Sequence, residues 1–209
     1  AEKDPTADVE GLDAGRKVAI LASAAFNSRV TFEDVYTEGI TKITATDIQY
    51  AKEMGCTIKL LGVAKDTPEG IEARVHPMLI DSNHPLATVN DSYNAVFVHG
   101  DAVGDTMFYG RGAGELPTAS AVVGDVFEVV RNMKADCCGR VGCTCYKTLP
   151  VKNMADTHNR YFLRLQVEDR CGVLAEILEH FAKYQASVAQ IMQKESKRPD
   201  TAEVVVITK

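Results

Sequence analysis

The 209-residue chain contains no tryptophan and no segment rich in lysine and arginine. Its longest near-apolar run, residues 18–26, is far short of the ~20 residues a membrane-spanning helix needs. Lysine and arginine total 23 against 29 aspartates and glutamates, a net charge of −6, so neither nucleic acid nor an acidic membrane surface is the expected partner. No repeat, heptad or low-complexity tract is present, which excludes collagen-like, coiled-coil and long disordered classes. The glycine-rich stretch YGRGAG (109–114) lacks the G-x-G-x-x-G spacing of a dinucleotide turn: position 115 is Glu115 and position 117 is Pro117. The chain is therefore expected to carry no nucleotide-binding domain of its own.

Metal-ligand spacing is missing too. Of the six cysteines, Cys137, Cys138, Cys143 and Cys145 could in principle gather four thiolates, but vicinal and Cys-x-Cys pairs are not the gaps of zinc knuckles. Reduced thiols in a cytoplasmic protein and no metal site are the expectation. None of the five histidines pairs with another ligand at metal spacing, and no serine or cysteine sits in a nucleophile motif. The chain begins at Ala1 in a polar, acidic stretch with neither initiator methionine nor leader, and its last strand-like run has no polar tail. Both ends are expected to be cut from something longer.

What is present is ordinary for a globular protein: 45% hydrophobic and 25% charged residues. At this length folding buries roughly 70% of the unfolded chain's surface. Asp13 opens an apolar run that predicts a buried helix through residue 26, and a second helix is predicted over 46–54 with Gly55 as its stop. Strands are predicted over 57–63 and 71–75 about a turn at 66–70, and over 93–100 and 105–109 about a glycine hairpin. Valines at helical spacing predict a helix over 117–133. Residues 134–159 show weak periodicity and hold the linker. The last fifty residues read strand (160–168), helix (172–184), strand (187–193), strand (202–208), a β-α-β-β run lacking one helix and one strand of a ferredoxin-like unit.

Four groups of residues could carry chemistry. Asp13 and Lys17, four apart, share a helix face. They are either a solvated ion pair or, because first-turn position and burial both disfavour a charged lysine, a proton-transfer pair with a lowered lysine pKa. The acids Glu2, Asp4, Asp8 and Glu10 before them are either a solvated loop or acceptors for a cationic ligand group. The turn through Gly112, Ala113 and Gly114 is either a tight strand-to-helix connection or a close approach to a cofactor held elsewhere. Asp169, Gly172, Val173 and Leu174 lead into the last helix, as a plain cap or as first-turn amides suited to a carboxylate.

Beyond these readings, DPTADVEGLDAGRK (4–17) followed by RVTFEDVYTEGI (29–40) closely resembles the homoserine dehydrogenase family, as do YGRGAGELPTASAV (109–122) and RVGCTCY (140–146). Residues 161–175 resemble the start of an amino-acid-sensing ACT domain. The resemblance implies reduction of L-aspartate 4-semialdehyde to L-homoserine with NADP or NAD. It makes Lys17 the proton donor, and Asp13, Glu2 and Asp8 ligands of the amino and hydroxyl groups. It places Gly112, Ala113 and Gly114 beside the nicotinamide, and Asp169, Gly172, Val173 and Leu174 at a threonine effector. Cys171 departs from the family pattern, which often has proline there.

The expected fold is α+β: a mixed β-sheet with helices packed on one face, then a ferredoxin-like βαββ ACT unit. Residues 1–146 form the substrate-binding, catalytic and dimerisation domain, 147–159 the linker and 160–209 a partial ACT domain in a homodimer or higher homo-oligomer. The competing class is an amino-acid-sensing module without catalysis of its own.

Overall fold

The computed structural model describes residues 4–137, 142–195 and 198–209. Two compact units divide between Met154 and Ala155.

The first unit is organised by one helix lying on one hairpin. A short helix α1 (Thr6–Val9) ends in Gly11, whose φ of 75° lets the chain turn into α2 (Leu12–Phe26). Helix α2 buries Gly15, Val18, Ala19 and Ala22. These join Val30, Val35, Ile71, Ala73 and Val75 in the core, each valine or isoleucine contributing roughly 1.5–3 kcal/mol on burial. Small residues set the closeness of this packing. Gly62 faces Val18 so tightly that a Cβ there would collide with its Cγ2. The helix is not buried all round as its apolar run predicts: Ile20 is 69% and Leu21 44% exposed. The sheet covers one face, and no second layer among the described residues covers the other.

The two-residue strand β1 (Tyr36–Thr37) runs parallel to the middle strand of a three-stranded sheet of order β1-β3-β2. Between β1 and that hairpin, α3 (Ala45–Glu53) starts at a capping box in which Thr44 and Asp47 satisfy each other's backbone amides. Strands β2 (Cys56–Thr67) and β3 (Gly70–Asp81) are antiparallel over 12 residues each, longer than predicted at both ends. Pro77 does not stop β3, because β1 pairs only with Arg74 and Val75 and the strand is an edge at position 77.

Strands β4 (Tyr93–Gly100) and β5 (Gly104–Arg111) form a separate two-stranded sheet, with Tyr93 and Tyr109 stacked at 4.9 Å. The 20-residue α4 (Glu115–Lys134) follows and buries no residue. Among the described residues no helix is long and apolar enough to cross a membrane.

Part of the stretch expected as linker packs instead on the first unit. Lys147 bridges Ser28, and Ile71 donates its N–H to Pro150 O and accepts from Lys152 N, both at 2.8 Å. Leu149 and Val151 lie against the core. Beneath them sits a nearly buried ion cluster: Glu72 pairs with Arg74 and with Lys152, whose Nζ is 3.4 Å away. Arg74 also donates from Nε to His76 Nε2 at 3.2 Å.

In the second unit, β6 (Phe162–Glu168), β7 (Val188–Glu195) and β8 (Thr201–Thr208) form an antiparallel sheet of order β6-β8-β7, with α5 (Val173–Lys183) between β6 and β7 in the chain. The central strand carries the core through Val204, Val205 and Val206. Asp169 does not cap α5. Gly172 holds the N-cap position at a φ of 91°, and Arg170 reaches over it to grip Glu176 with two hydrogen bonds of 2.8 and 2.7 Å.

Candidate functional site

The Asp13–Lys17 pair forms as its spacing predicts. Lys17 Nζ lies 2.6 Å from Asp13 Oδ2, one turn apart near the start of α2. The burial expected of it is absent: the two side chains are 62% and 45% exposed. The pair therefore stands on an open surface rather than in a dry pocket.

Its placement is nevertheless fixed by packing behind it. A Cβ on Gly15 would press on the Phe32 ring and on Thr37 Oγ1, and one on Gly11 would press on Val75 and Thr37. These glycines bring the helix start against β1. The following loop is drawn in further: Ile40 donates to Val9 O at 2.8 Å, and Gly39 meets the backbone of Val9 and Glu10 with no room for a Cβ. No motif marks the tie through Gly39: the YTEGI tail (36–40) looks like a loop until the backbone contact is known.

Asp8 lies exposed on α1. Glu2 is outside the described residues. The Gly112, Ala113 and Gly114 turn joins β5 to α4, with Gly112 N–H bonded to Ser92 O at 3.1 Å and Gly114 at the helix N-cap with a φ of 127°. No side chain caps that helix start. No hydrogen bond or ion pair among the described residues links Asp8 or this turn to Asp13 and Lys17. Asp169, Gly172, Val173 and Leu174 belong to the second unit.

The next face of α2 borders an open groove of about 530 Å³ that does not include Asp13 or Lys17. Arg16, Ile20 and Ser23 of α2 line it together with Gly142, Cys143 and Cys145. Arg16 holds its guanidinium 5.4 Å from the Phe32 ring centre. No group of three or more histidine, cysteine or acidic side chains among the described residues could hold a metal ion.

A family profile described as homoserine dehydrogenase matches residues 1–127. Homoserine dehydrogenase of Corynebacterium glutamicum is 50% identical over 214 residues, spanning 100% of this chain and 47% of that protein. Homoserine dehydrogenase of Bacillus subtilis is 44% identical, spanning 100% of this chain and 48% of that protein. Among solved structures, a homoserine dehydrogenase from Thiobacillus denitrificans superposes with a TM-score of 0.91 at 42% identity, over 100% of this chain and 48% of that one. A Staphylococcus aureus homoserine dehydrogenase (S. aureus) superposes at 0.72 and 35% identity, over 100% of this chain and 50% of that one. The mixed α/β fold of this chain is thus shared with solved homoserine dehydrogenases over the whole of its length. The chain belongs to the homoserine dehydrogenase family, and it spans about half the length of the curated relatives it matches.

Proposed function

We propose that this chain is the substrate half of an enzyme that interconverts L-aspartate 4-semialdehyde and L-homoserine, with Lys17 as the proton donor. The observation that carries the reading is the Lys17–Asp13 pair, held at 2.6 Å on the open start of α2. NADP or NAD, when bound, supplies the hydride to the aldehyde carbon. The Lys17 ammonium gives its proton to the substrate oxygen as negative charge develops there, and Asp13 keeps that ammonium aimed along the helix face. Asp13, Asp8 and Glu2 supply carboxylates for the substrate's amino group.

The exposed turn through Gly112, Ala113 and Gly114 suits a nicotinamide-side contact, since its glycines and the uncapped amides of α4 admit a close ligand. It offers one wall of a cofactor site and no more. The face of α4 bearing Val122, Val126, Phe127 and Met133, all more than half exposed, is where the remainder of the enzyme docks in this reading. The first unit, ending at Met154, is the catalytic and dimerisation domain of a cytoplasmic homo-oligomer. Residues 160–209 are a partial ACT domain whose Asp169, Gly172, Val173 and Leu174 take a threonine effector, and their β6-β8-β7 order supports that assignment.

The test is a spectrophotometric assay with homoserine and NADP, on this chain alone and on the full-length protein that carries it. Turnover in the longer protein only is the expected result. No turnover in either overturns the reading and favours an amino-acid sensor, which threonine calorimetry would then reveal.

A further inference from the structure

The groove beside α2 ends at two thiols that the reaction above does not use. Cys143 is exposed and Cys145 half-buried, both unbridged, and both line the groove together with Arg16 and Ile20. The backbone N–H of Cys145 and then its thiol hydrogen-bond to the Cys143 sulfur, and the Arg29 guanidinium adds its charge. Together they hold the Cys143 thiol below the usual thiol range. The same thiol-to-thiol bond, helped by burial and by the Cys143 charge, pushes Cys145 up. Of the two thiols, Cys143 is therefore the one that gives up its proton more readily.

We propose that Cys143 and Cys145, paired at the rim of this groove beside Arg16 and Arg29, form a dithiol site that reacts with a small disulfide bearing carboxylates, such as glutathione disulfide. The open groove of about 530 Å³ admits a peptide-sized molecule; the Arg16 guanidinium in its lining and the Arg29 charge acting on the thiols complement carboxylates. The Cys143 thiolate attacks one sulfur of the incoming disulfide. A bond forms between Cys143 Sγ and that sulfur, the original S–S bond breaks, and the other half leaves as a thiolate that takes a proton from water. Cys145 then gives up its proton to water and attacks Cys143 Sγ, expelling the second half. Two protein thiols are oxidised to one disulfide, and the small disulfide is reduced to two thiols.

The test incubates the 209-residue chain with glutathione disulfide and maps the products by peptide mass spectrometry. Modification at Cys143 at least tenfold faster than at Cys56 and Cys171 is expected, with the selectivity lost in urea. Cys145→Ser should accumulate glutathione on Cys143 as a stable mixed disulfide, whereas Cys143→Ser should abolish the fast reaction. Equal rates at the exposed Cys171, or no accumulation in Cys145→Ser, overturn the proposal.

Discussion

Lys17 Nζ and Asp13 Oδ2 meet at 2.6 Å on a surface of α2 that the sheet does not cover. An exposed helical ion pair of this kind contributes well under about 1 kcal/mol to stability. The packing that fixes α2 lies on its other face, through Gly15, Val18 and Ala22. Removing the pair therefore tests chemistry with little interference from folding.

Lys17→Ala in the full-length protein is expected to lower kcat by orders of magnitude while shifting stability by no more than about 0.5 kcal/mol. Paired measurements of turnover and thermal melting check both halves. Near-normal turnover would remove Lys17 from the proton-donor role.

Gly39→Ala would push a methyl group into the backbone of Val9 and Glu10, where neither partner has a flexible end to move. The change is expected to cost about 1–3 kcal/mol in urea unfolding. It should also loosen the Ile40–Val9 hydrogen bond, which amide hydrogen exchange at Ile40 would report.

Glu72 sets the acid limit of the first unit. Burial alone pushes its carboxyl up, but the Arg74 and Lys152 cations overcome that and hold it below the usual glutamate range. A carboxylate depressed in the folded state stabilises at every pH above its unfolded value. That stability is lost as the pH falls from the unfolded value through the folded one. Acid unfolding is thus expected to begin just below the ordinary glutamate range. Glu72→Gln should cost about 3 kcal/mol at neutral pH, by removing the nearly buried carboxylate that Arg74 and Lys152 share, and should flatten the acid limb. A denaturation series against pH would show either effect missing.

Ser28→Ala deletes a 1%-exposed hydroxyl that accepts the Leu149 N–H at 3.0 Å. Leaving that amide unsatisfied is expected to cost about 1–3 kcal/mol. Faster proteolysis within 147–152 would accompany the loss of stability.

What the residue pattern carries most clearly is local. The helix expected over 46–54 with its stop at Gly55 matches α3 to within a residue, because glycine stops act over one turn. The turns about Pro68 and Asp101 likewise locate both hairpins. Contacts distant in sequence leave no such mark. Nothing about Lys147 says that it will bridge Ser28, and the apolar run of α2 does not reveal that Ile20 and Leu21 stay exposed. The Asp13–Lys17 contact was legible from a spacing of four, but its exposure was not, since that depends on how many layers cover the helix. Asp169 resembles a helix cap until Gly172, three residues on, takes that place.

The bonds on both sides of Ile71 change where this protein could be cut. Residues 147–152 act as a borrowed strand, supplying the acceptor for Ile71 N–H and the donor for its carbonyl. A fragment ending at Tyr146 would leave β3 with bare polar groups beside the exposed hydrophobic core, an adhesive edge inviting fibrils or swapped dimers. Ending eight residues later, at Met154, keeps that edge sealed.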